Sequence, residues 1–168
     1  MSTPRLERFR DPGTRIEDLV EHDVVVQCPR CEARALVRRL DEPPVRSEAH
    51  PKPSVFAPRR FTCTSCAKTD EWPGGGTKTV ALGGPVDPWF RLPLWLQGAS
   101  CGELLWAYNV EHLDLLEAFV GARVRERAPF DDHVRTVVER LPTWLKDPSN
   151  RAPILRSLSK LRSRLWEG

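Results

Sequence analysis

Two short motifs constrain this chain more than anything else in it. Cys28-Pro-Arg-Cys31 and Cys63-Thr-Ser-Cys66 present four thiols in two tight pairs, with 31 residues between the pairs. In a Cys-x-x-Cys turn the backbone folds beneath its two sulfurs, so both can converge on one point. Zinc takes four such ligands at tetrahedral corners, about 2.3 Å from each sulfur. Any fold of this chain must therefore bring position 28 next to position 66. In small modules of this kind the binding energy of the metal is folding energy, on the order of 10 kcal/mol or more.

Four cysteine corners leave no position for a reacting water, so Cys28, Cys31, Cys63 and Cys66 point to a structural zinc and not a catalytic one. Two other chemistries use the same residues. A redox Cys-x-x-Cys needs only one pair and opens a helix. An iron–sulfur centre takes four thiolates as well. The residues around the pairs favour zinc, because they read as strands. Val24 to Gln27 is β-branched and runs into the first pair, and Ala35 to Leu40 follows it. "RRFTC" enters the second pair and "KTDEW" leaves it. Between the hairpins, residues 41–58 carry five prolines, a density that opposes helix and inner strand alike. They read as an inserted loop, and its length adds little closure entropy, about 0.6 kcal/mol per doubling.

The expected organisation is an N-terminal arm over residues 1–22, in which "RIEDLVEH" forms one or two helical turns, and a ribbon over 23–80. A Gly- and Pro-punctuated boundary follows, then a helical domain over 88–168. In that second part "FRLPLWLQ" reads as a short apolar helix. "GELLWAYNVEHLDLLEAFVGARVRER" reads as one long helix with Ser100 as N-cap. "DDHVRTVVERL" reads as another, capped by Asp131 or Asp132 and halted near Pro142. "TWLKD" makes a turn, and a last helix starts near Ser149 or Asn150. Ile154, Leu158, Leu161 and Leu165 recur at spacings of 4, 3 and 4, which is one apolar stripe. The fold class expected is α+β: a small antiparallel zinc ribbon followed by a bundle of three or four helices. Trp89, Trp95, Trp106 and Trp144 should pack between those helices.

"VVVQCPRCEARALV" with "RRFTCTSCAKTDEW" resembles a zinc ribbon of the transcription-factor-IIB type. With "DPWFRLPLWLQ…LWAYNVEHL…ARVRER…LPTWLK" the chain from about Val24 onward is similar to uncharacterised bacterial zinc-ribbon-containing proteins. The resemblance implies a metal-bound ribbon ahead of a helical part and carries no assigned activity. The long Cys31–Cys63 gap departs from the compact ribbon.

Asn109 and His112 stand three apart in an otherwise apolar run. On a continuous helix both fall within the apolar arc centred on Leu105, away from Glu111, Asp114 and Glu117. Buried polar groups must find partners. The favoured expectation is a hydrogen-bonded clasp that fixes helix register. Its partners would be the backbone of "FRLPLWLQ", Arg123, or the Asn150–Arg151 pair. The alternative is an enzyme or small-ligand sensor, in which Asn109, His112, Arg123 and Arg151 grip an anionic or nucleotide-like ligand. A nucleophilic trio of Cys101, His112 and Asn109 fails on such a helix, since eleven residues at 1.5 Å separate the first two by about 16 Å. Cys101 is expected to be a small buried hydrophobe.

Charge is uneven. Residues 81–120 hold one arginine against five acids, a net of −4, and residues 121–168 hold eleven Lys/Arg against six acids, a net of +5. The final helix owes its basic face to Arg151, Arg156, Lys160, Arg162 and Arg164. On the ribbon, Arg38, Arg39, Arg59 and Arg60 form two doublets that could meet nucleic acid or a protein partner. Strand neighbours point to opposite faces, so at most half of each doublet shares a side. No paired carboxylates, phosphate loop or serine-centred motif supports a named reaction. The expectation is thus a zinc-binding, non-enzymatic interaction module with no membrane role. No apolar run approaches the length needed to span a bilayer and the charged start lacks a signal-type block, so a cytoplasmic protein is expected.

Overall fold

The structure is a computed structural model of the chain, and it describes residues 8–40, 54–75, 80–127 and 135–167. Its strands and helices run as follows: β1 (Arg8–Arg10), α1 (Ile16–Leu19), β2 (Val24–Gln27), β3 (Arg34–Arg39), β4 (Arg59–Thr62), β5 (Thr69–Trp72), β6 (Leu96–Ser100) and β7 (Glu103–Ala107). Then come α2 (Val110–Gly121), β8 (Val124–Glu126), α3 (Val137–Arg140), α4 (Thr143–Lys146) and α5 (Arg151–Ser163).

The ribbon strands form as the β-branched residues and the cysteine turns dictate. β2, β3, β4 and β5 make one antiparallel sheet in sequence order. Gln27 pairs with Arg34 and Thr62 with Thr69, so both cysteine turns lie at the same end of the sheet. Side chains alternate as the pleat requires. Ala35, Val37, Arg59 and Phe61 are buried, while Arg38 and Arg60 face outward. Most of the proline-rich insert (41–53) and residues 76–79 of the boundary segment lie outside the described residues; Val55, near the end of the insert, is buried.

The second half departs from a helix bundle. Residues 102–107 do not continue a helix back from His112. After Gly102 they are β7, paired with β6 from Leu96↔Ala107 to Ser100↔Glu103. The two-residue connection is Cys101–Gly102, at φ 54° and 76°. Positive φ at both positions is the primed turn whose twist suits a tight hairpin. Ser100 is therefore a strand residue and caps no helix, and Cys101 is exposed at the turn instead of buried. "FRLPLWLQ" is extended too: Pro93 and Leu94 form bridges to Val86 and Val26. The helix expected over "DDHVRTVVERL" is confined among the described residues to α3. Thr136 caps it by accepting the Glu139 N–H, while Glu139 accepts the Thr136 N–H. Asp131 and Asp132 lie outside the described residues.

The halves share one core. The Val25 N–H donates to the Tyr108 carbonyl at 2.9 Å, and the Trp95 N–H donates to the Val25 carbonyl at 3.0 Å. The second edge of β2 is thereby taken up by chain from the C-terminal half. Val24, Val26, Val37 and Phe61 join Leu94, Leu96, Leu105, Leu113 and Ile154 in a single buried cluster. The expected loose arm belongs to it as well: Phe9, Ile16, Leu19 and Val20 are buried, and β1 pairs in parallel with β8. The stripe on α5 reads as expected, with Ile154, Leu158 and Leu161 buried and Leu165 partly so. α5 packs on α2 and β6, and Arg162 ties it to α2 through Asp114 and Glu117.

Candidate metal centre

Each cysteine turn is closed by its own backbone. The Cys28 N–H donates to the Ala33 carbonyl at 2.8 Å, and the Cys63 N–H to the Lys68 carbonyl at 2.9 Å, both spanning five residues. The residue after the second cysteine is left-handed in both turns, Glu32 at φ 61° and Ala67 at φ 58°. Two copies of one backbone shape therefore face each other at the end of the sheet.

The sulfurs meet as tetrahedral coordination demands. Cys28 Sγ lies 3.7 Å from Cys66 Sγ and Cys31 Sγ lies 3.5 Å from Cys63 Sγ. All four sulfurs fall within 4.8 Å of one another. A tetrahedron with arms of about 2.3 Å has edges of about 3.8 Å, so these separations fit one zinc ion. They are far beyond the roughly 2.05 Å of a disulfide. The thiols are also poised unequally. Burial pushes the Cys28 thiol up, but the N–H groups of Cys31 and Arg30 and the Cys66 and Cys63 thiols together outweigh it and bring it down to about 6. At Cys31 the Ala33 amide pulls down, yet burial and the three neighbouring sulfurs together push the thiol up to about 12. Four thiolates this close repel one another, and a divalent cation at their centre relieves that repulsion. Cys28, Cys31, Cys63 and Cys66 can therefore hold a metal ion, and their all-sulfur chemistry suits zinc.

The four ribbon arginines separate. Arg59 is wholly buried, its guanidinium 4.1 Å above the Trp89 ring and its Nη1 donating to the Val20 carbonyl at 3.0 Å. A group without solvent access reaches no phosphate, so Arg59 is corrected from a surface contact to a core residue. Arg38 pairs with Asp23, Arg39 with Glu21 and Arg60 with Glu71. Arg38 and Arg60 stand directly opposite each other in the ladder, on the outer face. Nothing in the sequence marks Arg59 as buried, because Trp89 reaches it from thirty residues further along the chain.

The Asn109–His112 pair is a clasp, with partners other than those expected. Asn109 caps α2: its Oδ1 accepts the His112 N–H at 3.0 Å, and its Nδ2 donates to the Leu19 carbonyl at 2.7 Å. It thus ties α2 to the end of α1. His112 Nδ1 accepts the Tyr108 N–H at 3.3 Å, and burial holds the imidazole down at about 4, so it is neutral at pH 7. The four-residue anion grip does not assemble. Arg123 is exposed, and Arg151 spends its guanidinium on the Val120 and Ala122 carbonyls at the end of α2. The 16 Å separation of Cys101 and His112 falls away with the helix it assumed. The trio remains unsupported, because the imidazole nitrogen nearest the backbone is already committed to Tyr108.

Comparison with family models, with curated proteins and with solved structures found no match to this chain. Among the described residues no helix is long and apolar enough to cross a membrane.

Proposed function

We propose that this chain is a non-enzymatic interaction module built around a structural zinc ion, and that its partner is a protein. The observation that carries this is the gathering of four cysteine sulfurs within 4.8 Å. With every coordination position filled by protein, the ion would hold the end of the sheet and activate no water. Two cysteine turns at one end of an antiparallel sheet also support kinship with the zinc-ribbon proteins that the sequence resembles. Thiols kept reduced for a metal suit the cytoplasm.

A protein partner is favoured over nucleic acid by the outer face of the sheet. There Arg38 and Arg60 alternate with Asp23 and Glu71 in close pairs. Such mixed charge makes a weak field for phosphate but a specific pattern for a complementary protein surface.

Elemental analysis of the purified protein should return one zinc per chain. Binding to single- and double-stranded DNA and RNA, followed by fluorescence anisotropy across salt, should be weak and unaffected by Arg38→Glu with Arg60→Glu. Capture from native cells with and without nuclease should give the same partner. Affinity that falls steeply with salt and vanishes in the double variant would replace the protein partner with nucleic acid.

A further inference from the structure

Between β7, α2 and the α3–α4 segment lies a cavity of about 280 Å³ that the zinc centre does not touch. Its walls are apolar, with Leu105, Trp106, Leu116, Leu141 and Trp144 among them. Two lining side chains are otherwise polar or charged, His112 and Arg140. Asn109, Arg123 and Arg151 take no part, so this is not the grip expected from sequence.

The polar groups share one character. His112 is 3% exposed, and its Nδ1 is occupied by the Tyr108 N–H. The neutral ring therefore carries its proton on Nε2, the remaining nitrogen. No partner for that N–H occurs among the described residues. Arg140 is exposed and stands where the cavity meets solvent. The only further polar groups on lining side chains are the indole N–H groups of Trp106 and Trp144. Every one of these is a donor, and no acid, amide or hydroxyl side chain lines the space. An occupant must bring its own acceptors. His112 Nε2 is not sealed from solvent, so it opens on the cavity, where a ligand oxygen can accept its N–H.

We propose that this cavity binds a small apolar carboxylate, with the hydrocarbon body between Trp106 and Trp144 and the carboxylate taken by His112 Nε2–H and Arg140. The volume sets the size. An apolar cavity of about 150 Å³ takes up one benzene ring, so this space suits roughly a bicyclic aromatic or a branched chain of similar bulk. The proposal is independent of the zinc-module reading, since the two sites share no residue.

The test uses the full-length, zinc-loaded protein and naphthalene-2-carboxylate, with 2-naphthylmethylamine as the cationic counterpart of similar shape. Binding is followed by amide chemical shifts and calorimetry. The carboxylate should bind at least about tenfold more tightly than the amine, with shifts in residues 104–116 and 137–145. Leu141→Trp, which fills the space, should abolish binding. His112→Asn, whose amide oxygen can still accept the Tyr108 N–H, and Arg140→Gln should each weaken the carboxylate by about five- to tenfold without weakening the amine. If Leu141→Trp fails to fold, Arg140→Gln at its exposed position still decides. Equal affinity for acid and amine, unaltered binding in the filled variant or in Arg140→Gln, or no shifts at millimolar ligand would each overturn the proposal. None of these outcomes depends on whether zinc is structural.

Discussion

Glu32 and Ala67 occupy equivalent places in the two cysteine turns and share a left-handed backbone, at φ 61° and 58°. A side chain in that conformation costs roughly 1–2 kcal/mol, part of which glycine would give back in extra freedom when unfolded. Glu32→Gly and Ala67→Gly should each stabilise the zinc-loaded protein by about 0.5–1 kcal/mol. Urea denaturation at fixed zinc measures this, and a loss of stability in both would refute the assignment of strain.

Exhaustive chelation, or Cys63→Ser, should dismantle the sheet end and lower stability by several kcal/mol, since metal binding and folding are linked. Cys101→Ser should change neither zinc content nor far-ultraviolet circular dichroism, because Cys101 sits exposed on a turn in the other half. Retention of the native spectrum at zero zinc would show that the thiols merely pack.

His112 sets a pH dependence of defined sign. Its folded value, about 4, lies below the ordinary 6.5, so the unfolded chain takes up the proton first. The contribution is fully present above about pH 6.5 and is lost as pH falls toward 4, with about 2 kcal/mol gone by pH 5. Unfolding free energies at pH 7 and pH 5 should therefore differ more in the natural protein than in His112→Asn. Acid loss of zinc is common to both proteins and cancels in that comparison.

Arg59 and Arg60 are neighbours in sequence with opposite consequences. Arg59→Met removes the stack on Trp89 and leaves the Val20 carbonyl without this donor. The cost should be roughly 2–4 kcal/mol. Arg60→Gln removes an exposed pair with Glu71 and should stay within about 0.5 kcal/mol. Thermal melts of the two variants separate a core arginine from a surface one.

The parts legible in the sequence were those written in local chemistry: the cysteine spacing, the β-branched run of β2, and the stripe on α5. The β6–β7 hairpin was hidden for a physical reason. Leu104, Leu105, Trp106 and Ala107 are all apolar, so the alternation that buries Leu105 and exposes 47% of Leu104 leaves no polar mark. Its turn, Cys101–Gly102, lacks the asparagine or aspartate that usually announces such a bend. The same run, joined to the true helix beyond Asn109, mimics helical spacing. Asn109 was placed inside that helix when it is the residue that starts it. Arg59 and the cavity escaped because long-range packing creates them, and no window of sequence contains both partners.

The edge of β2 is claimed by Tyr108 and Trp95, and this makes the ribbon a poor candidate for dissection. A fragment ending near residue 75 would bare the Val25 N–H and carbonyl and the Gln27 N–H, which chain from the C-terminal half otherwise satisfies. That surface recruits further strands from other molecules. Such a fragment should therefore self-associate even with its metal in place, and the zinc turns would survive inside an aggregate instead of a soluble miniature.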